Sequence, residues 1–183
     1  MTLMHTPVCD FGIPASDFKL LGVDGNYWTR DDCAAKNGLL VMFICNHCPY
    51  VKAIQERLVA DMAILQANGV GVVAIMSNDP NDYPEDSFGK MQKIAKEKGY
   101  NFPYLIDTTQ QVAKAYGAIC TPDFFGYNNN MQLQYRGRLD ESTKQVSAKG
   151  LKRELLDAML MVAKTAKGPV EQVSSMGCSI KWS

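Results

Sequence analysis

The sequence predicts an α/β fold in which a mixed central sheet is flanked by helices and carries an N-terminal hairpin extension. Three observations support this. Short apolar runs of strand length alternate with longer stretches whose apolar residues recur at helical spacing, the pattern of a layered α/β domain. Two runs, 39–44 and 70–76, are almost continuously apolar, as expected of parallel strands covered on both faces. The segment between them reads as a helix, and strand, helix and strand together make a right-handed crossover unit.

In chain order, residues 18–26 read as a hairpin turning at Asp24-Gly25, and 28–36 as a short helix ended by Asn37-Gly38. The strand 39–44 follows. Val51, Ile54, Leu58, Met62 and Leu65 then recur at spacings of 3, 4, 4 and 3, one face of a single helix that closes at Asn68-Gly69. After the strand 70–76, the polar residues 77–84 form a loop, and a helix runs through Phe88, Met91 and Ile94 to Gly99. A strand at 102–106 leads to a short helix capped by Thr108 or Thr109, carrying Val112, Ala113 and Tyr116 and ending at Gly117. Strands at 123–127 and 131–136 are joined by Asn128-Asn129-Asn130, whose tolerance of positive φ predicts an antiparallel pair. The last helix carries Leu151, Leu155, Met159 and Val162 and stops at Gly168-Pro169, leaving a tail without periodicity.

With 183 residues and 46% hydrophobic content, the chain reads as one domain over 1–167 with the tail 168–183 docked on it. Ile180 and Trp182 are the reason to expect docking, because a free tail gains nothing from such side chains. Lysine plus arginine and aspartate plus glutamate both number 19, so no basic field exists to hold nucleic acid or an anionic membrane, and neither is expected as a partner. There is no cationic start followed by a short apolar core, and no uninterrupted apolar run of roughly 18 residues, so the expected location is cytoplasmic. Six cysteines are too sparse for a disulfide scaffold. The oligomeric state is not legible, and no cofactor is indicated.

The chemistry is expected at Cys45-Asn46-His47-Cys48-Pro49, where an apolar strand delivers two cysteines to the start of a helix. A helix N-terminus offers unpaired N–H groups and roughly half a positive charge, which favours thiolate and lowers a cysteine pKa from ~8.5 into the range ~3.5–7.5. Pro49 suits the first helical turn, where its missing N–H costs nothing. Redox chemistry, metal binding and inert packing are the three readings of such a pair. His47 reads either as a positive charge that stabilises the Cys45 thiolate or as an exposed loop histidine.

Beyond this pair, Thr121-Pro122 after a helix and before a hairpin resembles the thioredoxin-fold superfamily, in which such a proline is cis and its loop faces the cysteine pair. The chain resembles in particular the redoxin branch of alkyl hydroperoxide reductase and thiol-specific antioxidant proteins, over residues 10–167. It is most similar to a peroxiredoxin-like subgroup with five motifs, present here as Cys45 to Val51, Asn78 to Phe88, Cys120 to Asp123, Tyr135 to Asp140 and Gly177 to Trp182. The resemblance implies a thioredoxin-like fold and an antioxidant thiol–disulfide oxidoreductase. Its substrate would be a disulfide-bearing protein or a peroxide, and a thiol would serve as electron donor. Cys45 would be the nucleophile and Cys48 the resolving thiol, with the Thr121-Pro122 edge aligning an incoming chain as an added strand.

Two departures bear on this. Thioredoxins resemble Trp-Cys-Gly-Pro-Cys with a buried acid on the preceding strand, whereas Ile44 and Asn46-His47 stand here and 39–44 contains no acid. Peroxiredoxins resemble Pro-x-x-x-Thr-x-x-Cys, and aligning Cys48 with that cysteine puts Cys45 at the threonine and Val41 at the proline. In that alternative Cys48 is the peroxidatic cysteine and Arg136 supplies positive charge, unless Arg136 is an exposed strand-end residue. Cys120 and Cys178 are expected near the pair, either as relay thiols, with Cys178 within the ~4.4–6.8 Å Cα separation of a disulfide, or as buried structural thiols. The metal alternative is tetrahedral zinc on Cys45, Cys48, Cys120 and Cys178, and a third reading is a redox switch of the tail. Cys9 and Cys33 read as packing residues.

Overall fold

The computed structural model describes residues 2–81, 83–145 and 150–183. In chain order the elements are β1 (Leu3–His5), β2 (Lys19–Gly22), β3 (Tyr27–Thr29), α1 (Arg30–Cys33), β4 (Leu39–Phe43), α2 (Pro49–Lys52), α3 (Gln55–Ala67), β5 (Gly71–Met76), a 3-10 turn at Pro84–Asp86, α4 (Phe88–Glu97), β6 (Tyr104–Ile106), α5 (Gln111–Tyr116), β7 (Cys120–Thr121), β8 (Asp123–Tyr127), β9 (Leu133–Tyr135), α6 (Glu154–Thr165) and β10 (Met176–Ser179).

Seven strands form the main sheet in the order β3-β2-β6-β5-β4-β8-β9. β4, β5 and β6 run parallel, β8 joins β4 antiparallel and β9 joins β8 antiparallel, so the sheet is mixed. Every residue of β4 and β5 is buried, because both faces of these strands are covered. Leu40, Met42 and Ile44 face a core completed by Leu58, Met62 and Leu65 of α3 and Leu155, Met159 and Val162 of α6. Leu39, Val41 and Phe43 face the opposite core with Phe125 and with Ala113 and Tyr116 of α5. Period-two alternation along one strand thus supplies both cores. The hairpin β2–β3 is no appendage, since β2 pairs with β6 and extends the main sheet.

β5 approaches α1 closely at Gly71, where an added Cβ would meet the Cys33 carbonyl oxygen at 1.9 Å. Gly71→Ala is therefore expected to lower stability by about 1–3 kcal/mol, the usual range for overpacking, read as a fall in the urea midpoint at unchanged slope. An unchanged midpoint would show that α1 yields freely.

Several local expectations are corrected. Trp28 lies in β3, and the helix begins only at Arg30, because Thr29 and Asp32 form a reciprocal capping box that sets its start there. The single helix expected after Cys48 is broken into α2 and α3, where Ile54 N–H bonds back to Val51 rather than Tyr50. The break lets α2 pack on β10 while α3 packs on β5 and α6, which one straight rod would not do. Gln110, left-handed at φ 60°, precedes α5 in place of a threonine cap, and Asp107 Oδ2 accepts the Ala113 N–H. In the β8–β9 turn the positive φ falls on Met131, while Asn128 Oδ1 accepts the N–H groups of Asn130 and Gln132. Leu151 lies before α6 rather than on it.

The tail, without periodicity in sequence, contains a strand. β10 lies between β1 and β7 in a second, three-stranded antiparallel sheet. Ile180 is buried in the α5-side core, whereas Trp182 is 44% exposed with the Lys114 ammonium 5.5 Å from its ring centre. Among the described residues no helix is long and apolar enough to cross a membrane.

Candidate active site

Cys45 follows the end of β4 and Cys48 caps the N-terminus of α2, with Pro49 in its first turn. The intervening Asn46 and His47 are held by the 3-10 turn. Asp86, fully buried, accepts the Asn46 N–H at 2.8 Å, the His47 N–H at 3.3 Å, His47 Nδ1 at 2.6 Å and Asn78 Nδ2 at 2.9 Å. Asn46 Nδ2 donates to the Glu85 carbonyl at 2.7 Å, and its Oδ1 accepts from the Tyr104 hydroxyl. The Tyr83 ring stacks on His47 with centres 4.1 Å apart. Burial alone pushes the Asp86 carboxyl up, but the donors around it, His47 and Asn78 foremost, outweigh that and hold it below the usual carboxylate range.

His47 is buried rather than an exposed loop residue, and its Nδ1 also lies 3.7 Å from the Cys45 sulfur. The Asp86 carboxylate accepts from Nδ1 at 2.6 Å, so Cys45 receives only a weak secondary contact at 3.7 Å. His47 is not among the groups that shift the Cys45 thiol. Burial pushes the Cys45 thiol well above its ordinary value, with further contributions from its hydrogen bond to Cys48 and the negative charges of Asp86 and Cys48. The Thr121 hydroxyl, 3.3 Å from Cys45 Sγ, pulls the other way.

Cys48 behaves oppositely. The Cys45 thiol hydrogen bond is the largest influence; burial opposes it, but the backbone N–H groups of Cys178 and Val51 and the Cys178 thiol add to it, and the Cys48 pKa is lowered to about 5. The Thr121 carbonyl oxygen, 3.1 Å from Cys48 Sγ, is an acceptor and favours the protonated form. These influences together favour the thiolate at Cys48 and the thiol at Cys45. Both sulfurs are sealed from solvent, with relative exposures of 1% and 0%.

The Thr121–Pro122 peptide is cis, and its strand β7 faces the cysteines. The edge expected to align an incoming chain is occupied: Cys178 pairs with Thr121 and Ser179 with Cys120. Cys178 therefore sits at the pair. Cys120, one residue along β7, projects to the other side and lies 3.6 Å from the Pro122 carbonyl, with its pKa pushed up by burial. The four sulfurs thus do not gather as tetrahedral zinc requires. Among the described residues, the group of potential ligand atoms lying within 4.8 Å of one another is Cys45, His47 and Asp86, with Nδ1 already committed to the carboxylate.

Arg136 is neither exposed nor at the thiols. It is buried, pairs with Asp123 at 3.1 Å, donates to the Gly117 carbonyl and lies 4.4 Å above the Phe125 ring. The fully buried Asp123 is nevertheless pushed up to about 6 by desolvation.

Asp86, Asn78 and Tyr83 had not been singled out from sequence, although all three belong to the Asn78-to-Phe88 motif. The tail completes their network, since Lys181 N–H donates to Asn78 Oδ1 and the Lys181 ammonium lies 5.5 Å from the Tyr83 ring centre. Four of the five separated motifs, all but Tyr135 to Asp140, therefore converge on one site.

Solved structures similar to this chain fall into two groups. An uncharacterized conserved protein from Geobacillus kaustophilus is 41% identical over 100% of this chain and 97% of its own, with a TM-score of 0.94. A hypothetical protein from Sinorhizobium meliloti 1021 is 39% identical over 98% of both chains, with a TM-score of 0.92. At greater distance, a putative thiol:disulfide interchange protein DsbE from Chlorobium tepidum is 22% identical over 85% of this chain and 98% of its own, with a TM-score of 0.63, a likeness of fold. No curated protein matches. The fold is thioredoxin-like, and a family model described as AhpC/TSA family matches residues 11–141, most of the chain. The chain belongs to the AhpC/TSA family of redoxins.

Proposed function

We propose that the protein is a thiol–disulfide oxidoreductase in which Cys48, rather than Cys45, supplies the attacking thiolate. The observation that carries this is the placement of Cys48 at a helix N-terminus, beside the Cys45 thiol and the N–H groups of Val51 and Cys178. The Cys48 thiolate attacks one sulfur of a substrate disulfide, forms a mixed disulfide and expels the other sulfur as thiolate, which takes a proton. Cys48 then carries no charge, so the hydrogen bond and the negative charge that raise Cys45 disappear together. Cys45 gives up its proton, attacks the Cys48 sulfur and expels the second substrate thiolate. The Thr121 hydroxyl is placed to stabilise the Cys45 thiolate during this step. Asp86 anchors the loop and is not the proton acceptor, since its four donors keep it ionised. A thiol donor in a reducing, cytoplasmic setting would return the pair to its starting state.

A second reading, hydroperoxide reduction with Cys48 as peroxidatic cysteine, is favoured by the same thiolate and by membership of the family. There Cys48 takes the terminal peroxide oxygen as a sulfenic acid, the alcohol leaves, and Cys45 condenses with loss of water. Arg136 would not assist, being committed to Asp123 and the Gly117 carbonyl. Disulfide exchange needs no such cation, and for that reason it leads.

Cys48→Ser is expected to reduce turnover of both an insulin disulfide and an alkyl hydroperoxide, coupled to a thiol donor, to the uncatalysed rate. Cys45→Ser combined with Cys178→Ser is expected to stop turnover while still accumulating one covalent adduct on Cys48. Full activity of Cys48→Ser would overturn the assignment, and the preferred substrate of the wild type separates the two readings.

A further inference from the structure

The tail strand β10 occupies the sheet edge where a thioredoxin-like fold would receive a substrate, and it brings a cysteine with it. Directly opposed residues of an antiparallel pair project from the same face. Thr121 and Cys178 are so opposed, and the Thr121 hydroxyl meets Cys45 Sγ while its carbonyl oxygen meets Cys48 Sγ, which sets Cys178 on the face of β10 turned toward the pair. Cys48 thus has two thiols for neighbours, Cys45 and Cys178, since all three belong to one core cluster and α2 packs on β10.

This approach is built into the chain. At Gly177 an added Cβ would lie 2.0 Å from the Thr121 carbonyl oxygen, so only glycine lets β10 come so near. Ile180 N–H donates to the Ile119 carbonyl, the Ser175 hydroxyl donates to the Pro122 carbonyl, and β1 closes the outer edge. The tail is bonded along its length rather than laid loosely over the site. The Cys45–Cys48 chemistry gives the Cys178 sulfur no covalent part.

We propose that Cys178 is a third redox-active thiol, which exchanges with the Cys45–Cys48 disulfide by forming a Cys48–Cys178 bond and so makes β10 an internal reaction partner on the substrate edge. The inference rests on the reading of Cys48 as the reactive sulfur. In the exchange, the Cys178 thiol loses its proton and its sulfur attacks Cys48 Sγ. The Cys48–Cys178 bond forms as the Cys45–Cys48 bond breaks, and Cys45 leaves as a thiolate that takes up the proton. No electrons are gained or lost, so the step needs no further oxidant. Burial pushes the Cys178 thiol up to about 12, so its proton leaves only as the attack proceeds. The result is an oxidised state with Cys45 free and the tail covalently held. Cys120, on the opposite side of β7, takes no part.

The test uses the full chain with Cys45→Ser, treated with oxidised glutathione, acid-quenched, alkylated under denaturing conditions and mapped by mass spectrometry. Glutathione first joins Cys48. The expected result is that Cys178 then displaces it, so the protein ends two hydrogens lighter, contains a Cys48–Cys178 linked peptide and shows no alkylation at either residue. A stable glutathione adduct on Cys48 with Cys178 fully alkylated would overturn the inference and leave the function intact. No adduct and no linkage would overturn both. Wild-type protein oxidised in the same way is expected to give Cys45–Cys48 and Cys48–Cys178 linked peptides together, a mixture that collapses to the first alone in a folded Cys178→Ser variant. Wild type with the first linkage only would also overturn the inference.

Discussion

Reduced protein titrated from acid to alkali is expected to form one thiolate with a midpoint of about 5, visible in the ultraviolet absorbance of thiolate, and its rate with a disulfide probe should follow the same midpoint. Above it the pair holds one charge and one proton. Because the Cys45 thiol is the largest stabiliser of the Cys48 anion, Cys45→Ala should raise the midpoint by one unit or more, about 1.4 kcal/mol per unit. Serine, which keeps a donor, should raise it less. The converse variant, Cys48→Ala, should lower the Cys45 pKa, since it removes both a hydrogen bond and a negative charge that hold that proton in place. A wild-type midpoint near the ordinary ~8.5 would show that the helix and the neighbouring thiols do not select Cys48.

The second large effect is expected at Asp86. Asp86→Asn replaces one carboxylate oxygen by an NH₂ group facing His47 Nδ1 and Asn78 Nδ2 or the backbone N–H groups of Asn46 and His47, and so sets donor against donor. Hydrogen bonds to a charged group contribute about 1.5–3 kcal/mol each, and a loss of about 3 kcal/mol or more is expected for the variant, measured by denaturant unfolding at neutral pH. The dependence on pH gives a separate check. The folded carboxyl has its pKa below its unfolded value, so its contribution is complete above an unfolded pKa of about 4 and is lost as pH falls through the lower folded value. Wild type and variant should therefore differ fully at neutral pH and converge in acid. A constant difference down to strong acid would mean that Asp86 acts by shape rather than charge. The variant should also lower the Cys45 pKa, because the Asp86 charge is one of the groups raising it.

Much of this arrangement was readable along the chain. Apolar runs marked β4, β5 and β8, because strands buried on both faces carry their signal in composition alone. The helix start at Cys48-Pro49 and the chemistry of two cysteines around it needed only local spacing. The small strands β7 and β10 carried no such signal: two and four residues long, they exist because a distant segment satisfies their backbone groups. Arg136 looked like a strand-end residue, since nothing nearby in sequence reveals that Asp123 and Phe125 enclose it.

By itself, then, the sequence determined the thioredoxin-like α/β class, the place of the cysteine pair and the family, all properties of local pattern and motif. Which sulfur is favoured to carry the charge depends on the tertiary structure. Helix position alone favours a thiolate somewhere in the pair, but the difference between Cys45 and Cys48 comes from Asp86, Thr121 and Cys178, which lie 41, 76 and 130 positions from those cysteines along the chain. Electrostatic energies depend on separations of a few ångströms after folding, and the same closure that seats β10 on β7 brings Cys178 into the core cluster of Cys45 and Cys48.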